Sequence, residues 1–299
     1  MIINAQTVDL AFRGFQTVYG DAYLEAPTHK DKIAMTVSST SADETYGWLG
    51  MFPQLREWIG PRHVHNLKAS GFTIKNRKFE STVSVERDHI SDDKLGIYKP
   101  AFSEMGSLAA NHPEELVFGL LASGFEATCH DGHPFFADDH PQTNSKGEDI
   151  TVSNFEDGGG PAWYLLDTAR TVKPLIWQER EPYEFQSLTD HDDAHVFFND
   201  QFVYGVRARV NAGFGLWQLG FGSKATLNAA NHAAARAAMM DYRSDGGRIL
   251  GIRPTTLVVP PELEDAALHL LNTETSDGGG SNPWKGTAEL IVTPFVKAA

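Results

Sequence analysis

The apolar positions of this chain change period several times, and each change marks an element. Val8, Leu10, Ala11, Phe12, Phe15, Val18 and Tyr19 recur at three- and four-residue steps, which predicts an amphipathic helix ending near Gly20. The tract that follows, DAYLEAPTHKDKIAMTVSSTSADET, mixes Pro27 with a Ser/Thr cluster and keeps no period, so it predicts an extended arm. Next, Trp48, Leu49, Met51, Phe52, Leu55, Trp58 and Ile59 crowd around Pro53 and Gly60. That cluster demands burial, in the core or against another subunit, with Arg56 and Arg62 at its margin.

From Phe72 the period becomes two. Phe72 and Ile74, then Phe79, Val83 and Val85, predict the two strands of a hairpin turning near Asn76-Arg77-Lys78. Lys75, Arg77, Lys78, Glu80, Glu86, Arg87 and Asp88 sit between and beside them, a charge density unsuited to a core. A lone two-stranded hairpin is marginal in water, so this one is expected to lean on a neighbouring subunit. Shortening Lys75 to Lys78 should then impair association while leaving the subunit folded.

Helical spacing returns after Pro100. Met105, Leu108 and Ala109, then Leu116, Val117, Leu120 and Leu121, line one face, with Pro113 marking either a junction of two helices or a kink in one. Further on, PAWYLLDTART reads as a short helix or turn, and KPLIWQEREPYEFQSL as a strand pair or an extended segment broken by Pro182. VFFNDQFVYGVRARVNAGFGLWQLGFG alternates aromatic and β-branched residues and predicts sheet. An alanine-rich helix in ATLNAANHAAARAAMMDYRSDGG stopping at Gly246, a buried strand at Leu257–Val259, a helix carrying Leu263 to Leu271 and a last strand from Glu289 to Thr293 complete the pattern.

Composition narrows the function classes. The chain has 299 residues, 41% of them hydrophobic, with 18 Phe and 6 Trp, enough for a substantial core in one or two domains. Its net charge of −14 and scattered cations argue against binding to phosphate backbones as its main activity. Cys129 is the single cysteine, which rules out an intrachain disulfide and a thiolate cluster and fits a reducing compartment. The first residues carry no basic region followed by a long apolar run, so no export signal or membrane span is expected.

The richest candidate chemistry lies in ATCHDGHPFFADDHPQTNSKGE. His130, Asp131, His133 and His140 are residue types that bind transition metals and could build a hydrolase. Their spacing matches no helical two-histidine motif, and Pro134 and Pro141 break any helix that would align them. The plainer reading is a loop that caps its own turns with Phe135 and Phe136 tucked inward. No phosphate-binding loop and no nucleophile elbow is present, so no cofactor and no catalytic residue is assigned.

Six segments in order carry a resemblance: WLGMFPQLREWIGPR, FTIKNRKFESTVSVERDHISDD with GIYKP, HDGHPFFADDHP, NHAAARAAMMDYRSDGGRIL, RPTTLVVPPELEDAALHLL and NPWKGTAELIVTPFV. Together, from about Trp48 onward, they resemble the major head subunit, or T protein, of Mu-like phages and prophages. The resemblance implies an α+β major capsid fold of the Hong Kong 97 phage type, with N-terminal arm, extended β-hairpin loop, spine helix, and peripheral and axial domains. On this chain it implies a helix and arm over 1–45, the extended loop and its base over 46–100, and a peripheral domain with the spine helix over 101–190. The axial domain and remaining peripheral strands would then fill 191–299.

The implied function is mechanical: a non-enzymatic virion protein, assembled in the bacterial cytoplasm, whose copies form the hexamers and pentamers of an icosahedral shell around double-stranded DNA. Scaffolding and maturation protease would be separate proteins, and a portal a further partner, with no membrane and no sequence-specific DNA contact. Arg56, Trp58, Arg62, Phe72, Ile74, Lys75, Arg77, Lys78, Phe79, Val83 and Val85 become the candidate subunit-interface residues. The residues alone leave two other readings: the metal-dependent hydrolase of the His130/His133/His140 loop, and another virion structural protein such as a tail component.

Overall fold

Two sheets joined by one long helix organise the chain. The structure is a computed structural model and describes residues 5–50, 71–190, 192–275 and 279–297. Its helices are α1 (Ala5–Glu25), α2 (Lys30–Ile33), α3 (Arg87–Ser91), α4 (Lys99–Ala122), α5 (Ala194–Asn199), α6 (Ala229–Met240) and α7 (Glu264–Asn272). The strands are β1 (Ala34–Ser38), β2 (Asp43–Tyr46), β3 (Phe72–Lys75), β4 (Arg77–Glu86), β5 (His140–Thr143), β6 (Asp149–Val152) and β7 (Phe155–Glu156), followed by β8 (Trp163–Leu166), β9 (Leu175–Leu188), β10 (Gln201–Phe214), β11 (Gly220–Ser223), β12 (Thr256–Val259) and β13 (Glu289–Val292). Among the described residues no helix is long and apolar enough to cross a membrane.

One sheet has the order β1-β9-β10-β4, the other β13-β12-β8-β11-β7, with β2–β3 and β5–β6 as two small pairs. β9 and β10 form the longest ladder, from Leu175 opposite Phe214 out to Leu188 opposite Val203. Pro182 does not break β9 as its sequence predicts. Arg207 faces Glu184 and Arg209 faces Glu181, so Pro182 and Tyr183 share the place opposite Ala208. A bulge is where a residue without an N–H is tolerated inside a ladder.

Three further expectations change. The PAWYLLDTART segment holds β8, a central strand with Trp163 to Leu166 all buried, because a short apolar run fits a doubly covered strand as well as a helix. The tract read as an arm is extended but built in: α1 continues through Gly20 to Glu25, and β1 pairs in parallel with β9. Most consequentially, the two strands expected to form a hairpin do not pair with each other. β3 is antiparallel to β2, and β4 runs along β10 from Arg77 opposite Val210 to Glu86 opposite Gln201. Asn76 separates them and sits where two sheets meet.

Helix α4 couples the two layers. Phe102, Met105, Ala109, Val117, Phe118 and Leu121 are buried at three-, four- and eight-residue steps, and the helix passes Pro113 as one element. Its first half packs with Val8, Phe15 and Tyr19 of α1 on the outer part of the β4/β9/β10 sheet, around Phe185, Phe202 and Tyr204. Phe15 stacks on Phe102 at 4.2 Å and meets Tyr204 edge-on at 5.2 Å. Gly106 permits the close helix approach, since a Cβ there would run into the Tyr19 carbonyl. The second half of α4 packs on Tyr164, Leu166 and Val258, one face of the five-stranded sheet. The opposite face, with Trp163, Leu165, Leu257 and Val259, is covered by Ala235 and Met239 of α6 and by Ala267, Leu270 and Leu271 of α7.

Candidate assembly interface

The β2–β3 pair is antiparallel, from Asp43 opposite Lys75 to Tyr46 opposite Phe72. Arg56, Trp58 and Arg62 lie outside the described residues. Phe72, Phe79 and Val83 are half-buried, and Lys75, Arg77 and Lys78 are exposed. Ile74 is 3% exposed and Val85 0%: both are core side chains, which corrects their assignment to a surface. Ile74 fills the space beside Gly213, where a Cβ would overlap its δ-methyl. Val85 is sealed into the α1/α4 cluster, because β4 belongs to the main sheet and turns its apolar side inward.

The turn cannot be shortened without cost to the fold, contrary to the expectation from sequence. The Asn76 backbone N–H donates to the Ala42 carbonyl at 3.0 Å. Its side-chain amide donates to Ser39 Oγ at 2.8 Å and to the Ser41 carbonyl at 2.9 Å, and its Oδ1 accepts from Gln178 at 2.9 Å. Beside it, the Arg77 guanidinium lies 5.0 Å over the Phe79 ring, and that ring meets His112 at 4.2 Å. Burial lowers the His112 pKa.

A further feature, absent from the sequence reading, is the short helix in the connection between β9 and β10. The Asp193 carboxylate caps α5 by accepting from the His195 N–H at 2.7 Å, and Asp200 ends it in the left-handed region at φ 51°. Val196 is buried, while Phe197 and Phe198 are 74% and 80% exposed, their rings edge-to-face at 5.4 Å. The segment reads as strand because its aromatic residues merge with those of β10. The signal that could have found it is an N-capping Asp193 followed by Asn199-Asp200, a short helix with its own stop.

The histidine loop is a brace. Phe135 and Phe136 are buried, as its sequence predicts. Atoms of Cys129, Asp131 and His140 lie within 4.8 Å of one another, and each is engaged. Asp131 accepts from the Cys129 thiol at 3.1 Å, from the His133 N–H at 3.1 Å and from His140 Nδ1 at 2.7 Å. His140 Nε2 lies 3.1 Å from Asn154 Oδ1, and the ring stacks on Trp217 at 4.0 Å. Oxygen atoms of Asp131 and Asn154 thus face both ring nitrogens. Burial pushes the Asp131 carboxyl up, but hydrogen bonds from His140 and Cys129 outweigh it and hold it down to about 2. Burial and the adjacent carboxylate push the Cys129 thiol well up, opposite to what a nucleophile or metal ligand needs. His133 pairs with Asp139 at 3.0 Å on the rim, and His130 lines a cavity beside the brace with Gly50, Asp131, Gln142, Trp217 and Asp245.

The family model for the Mu-like prophage major head subunit gpT matches residues 8–296. The major capsid protein of Escherichia phage Mu is 40% identical over 305 residues, covering 99% of this chain and 100% of that protein. The subunit in the procapsid of bacteriophage JBD30 superimposes with a TM-score of 0.87 at 43% identity, over 98% of this chain and 100% of that one. For the JBD30 capsid the TM-score is 0.77 at 34% identity, over 93% and 94%. These are shell subunits of the Hong Kong 97 type, so the architecture described above is that fold and the histidine brace belongs to a structural, non-enzymatic protein. With nearly its whole length matched in sequence and in fold, the chain belongs to the Mu-like prophage major head subunit family.

Proposed function

We propose that copies of this chain, a major capsid subunit, meet as hexamers and pentamers in the bacterial cytoplasm, guided by a separate scaffolding protein and later acted on by a separate protease, with a portal at one vertex. The chain is a structural component of the virion head, and its work is the summation of many modest interfaces. The observation that carries this reading is the near full-length superposition on the JBD30 procapsid subunit. The closer match to that procapsid than to the JBD30 capsid supports reading the conformation described here as the immature one.

In this scheme the segment leaving β2 and returning at β3 is the extended loop, carrying Arg56, Trp58 and Arg62. Phe72, Lys75, Arg77, Lys78, Phe79 and Val83 form the surface at its base that meets a neighbour. The shell encloses DNA without reading its sequence, since a chain of net charge −14 repels a phosphate backbone more than it retains it. Negative-stain microscopy of the full chain, expressed with the scaffolding protein of its own phage, tests the proposal. Closed shells are the expected product, and discrete small particles under those conditions would overturn it.

A further inference from the structure

The four-stranded sheet ends at β4 in an open edge. Among the described residues β4 pairs with β10 alone, and its ten residues run in continuous register without a bulge or a proline. The Arg87 N–H donates to the Asp200 carbonyl, which extends that register and turns the odd-numbered backbone groups of β4 toward β10. The N–H and C=O groups of Lys78, Glu80, Thr82 and Ser84 therefore point away from the sheet. Glu86 belongs to the same set, and its N–H is taken by the Tyr98 hydroxyl at 3.3 Å. A long, straight edge of this kind is a ready template for another strand.

The two faces of β4 differ. Phe79 and Val83 are half-buried on the side of the helices, where a groove of about 250 Å3 lined by Phe79, Ser81, Met105 and Leu108 lies beside the strand. Leu108 is 57% exposed there. Lys78, Glu80, Thr82, Ser84 and Glu86 are exposed, with their side chains on the opposite face. A second β4 laid along the edge would bring Phe79, Ser81 and Val83 to the groove side. That stretch carries no charge, which suits a groove bordered by Glu80 and Glu115.

The strand is complementary to itself in one antiparallel register. Open groups meet only where even-numbered residues lie opposite even-numbered ones. Any register centred on Thr82 or beyond pairs Glu86, whose N–H is already held. Centred on Glu80, the strand sets that carboxylate against its own copy, a destabilising pair. Centred on Phe79, only Lys78 and Glu80 find partners, because the Asn76 N–H is spent on Ala42. Centred on Ser81, Lys78 faces Ser84 and Glu80 faces Thr82 of the second copy, all through open groups. Phe79 then lies opposite Val83, and Lys78 has Glu86 of the second copy on its diagonal.

We infer that β4 of one copy pairs antiparallel with β4 of a second copy about a two-fold axis at Ser81, joining two four-stranded sheets into one. The contact is isologous. Adjacent subunits of a five- or six-membered ring are not related by such an axis, so the contact links subunits of neighbouring capsomers. It rests on the capsid reading above, because that reading makes a second copy the occupant.

The test uses the full chain assembled with the scaffolding protein of its own phage. In this register Ser81 faces itself as a non-hydrogen-bonded pair, with Cα atoms about 4.5 Å apart and within disulfide range. Ser81→Cys should therefore give a disulfide-linked dimer when assembled shells are oxidised. Thr82→Cys should not, since its two copies lie about 7–8 Å apart on a diagonal. The native Cys129 is buried and hydrogen-bonded, so it does not compete. Thr82→Pro removes an outward N–H and spares the β10 ladder. It should raise the subunit concentration needed for assembly by about tenfold, with the subunit's melting temperature unchanged. Shells of Ser81→Cys that stay uncrosslinked, equal crosslinking of Thr82→Cys, or normal assembly of Thr82→Pro would each overturn the contact alone. Failure of the parent chain to form shells at all overturns the capsid reading and the contact with it.

Discussion

Two stretches of this chain are close to compositional twins: HDGHPFFADDH at 130–140 and DDAHVFFND at 192–200. Each sets a Phe-Phe pair among histidines and aspartates, and the fold treats them oppositely. Phe135 and Phe136 are 0% and 1% exposed, against Phe214 and Tyr164. Phe197 and Phe198 are 74% and 80% exposed in the connection between β9 and β10. The polar residues follow suit. Asp131 is locked by three donors, whereas Asp192 has its side chain in water. The lesson is that an aromatic pair in a charged setting is buried where the chain folds back under a sheet and left in water where it connects two strands at the sheet's edge.

The largest effect that could break this comparison is at the buried pair. Phe135→Ala should destabilise the subunit by about 3–5 kcal/mol through lost burial and the cavity left behind, measured by denaturant unfolding. A loss below 1 kcal/mol would place the ring outside the core. Next, Asp131→Ala should cost about 3 kcal/mol, because it strips a buried histidine of its carboxylate partner. The same carboxyl titrates low in the folded state, near 2 against an ordinary value of 3.8. Its contribution is therefore complete above pH 4 and is lost as pH falls toward 2, about 2 kcal/mol that Asp131→Asn would remove from the acid limb of the stability curve.

A third histidine sharpens the contrast from the other side. His232 in α6 is fully buried beside Trp284 at 5.3 Å, and neither ring nitrogen has a hydrogen-bond partner among the described residues. Burial, helped by Arg236, pushes its pKa down to about 4 from 6.5. The unfolded chain thus binds the proton first, so stability is full above pH 6.5 and declines toward pH 4, by about 2–3 kcal/mol. His232→Met should flatten that decline and leave stability near pH 7 equal or slightly higher, since no hydrogen bond is lost. The smallest effect is expected at the exposed pair: Phe197→Ala and Phe198→Ala should change subunit stability by no more than about 0.5 kcal/mol, measured by denaturant unfolding. A large loss of subunit stability there would make the tip part of the core and end the distinction.

The sequence by itself determined a good deal. The three- and four-residue spacing through Met105, Ala109, Val117 and Leu121 is enough to draw α4, because a helix closes its hydrogen bonds locally and its buried face can be read from one segment. The inward turn of Phe135 and Phe136 follows from prolines and polar residues that hold a loop. The order of six motifs carried the family and, with it, the fold. What only the tertiary structure decided was pairing and exposure. Phe72–Lys75 and Arg77–Glu86 alternate correctly as strands, yet their partners are Asp43–Tyr46 and Gln201–Val210, distant in the chain. A strand offers the same backbone donors and acceptors to any neighbour, so alternation names a strand without naming what it pairs with. Exposure of Phe197 and Phe198 is decided the same way, by where a long hairpin outruns the sheet and helices that cover its other end.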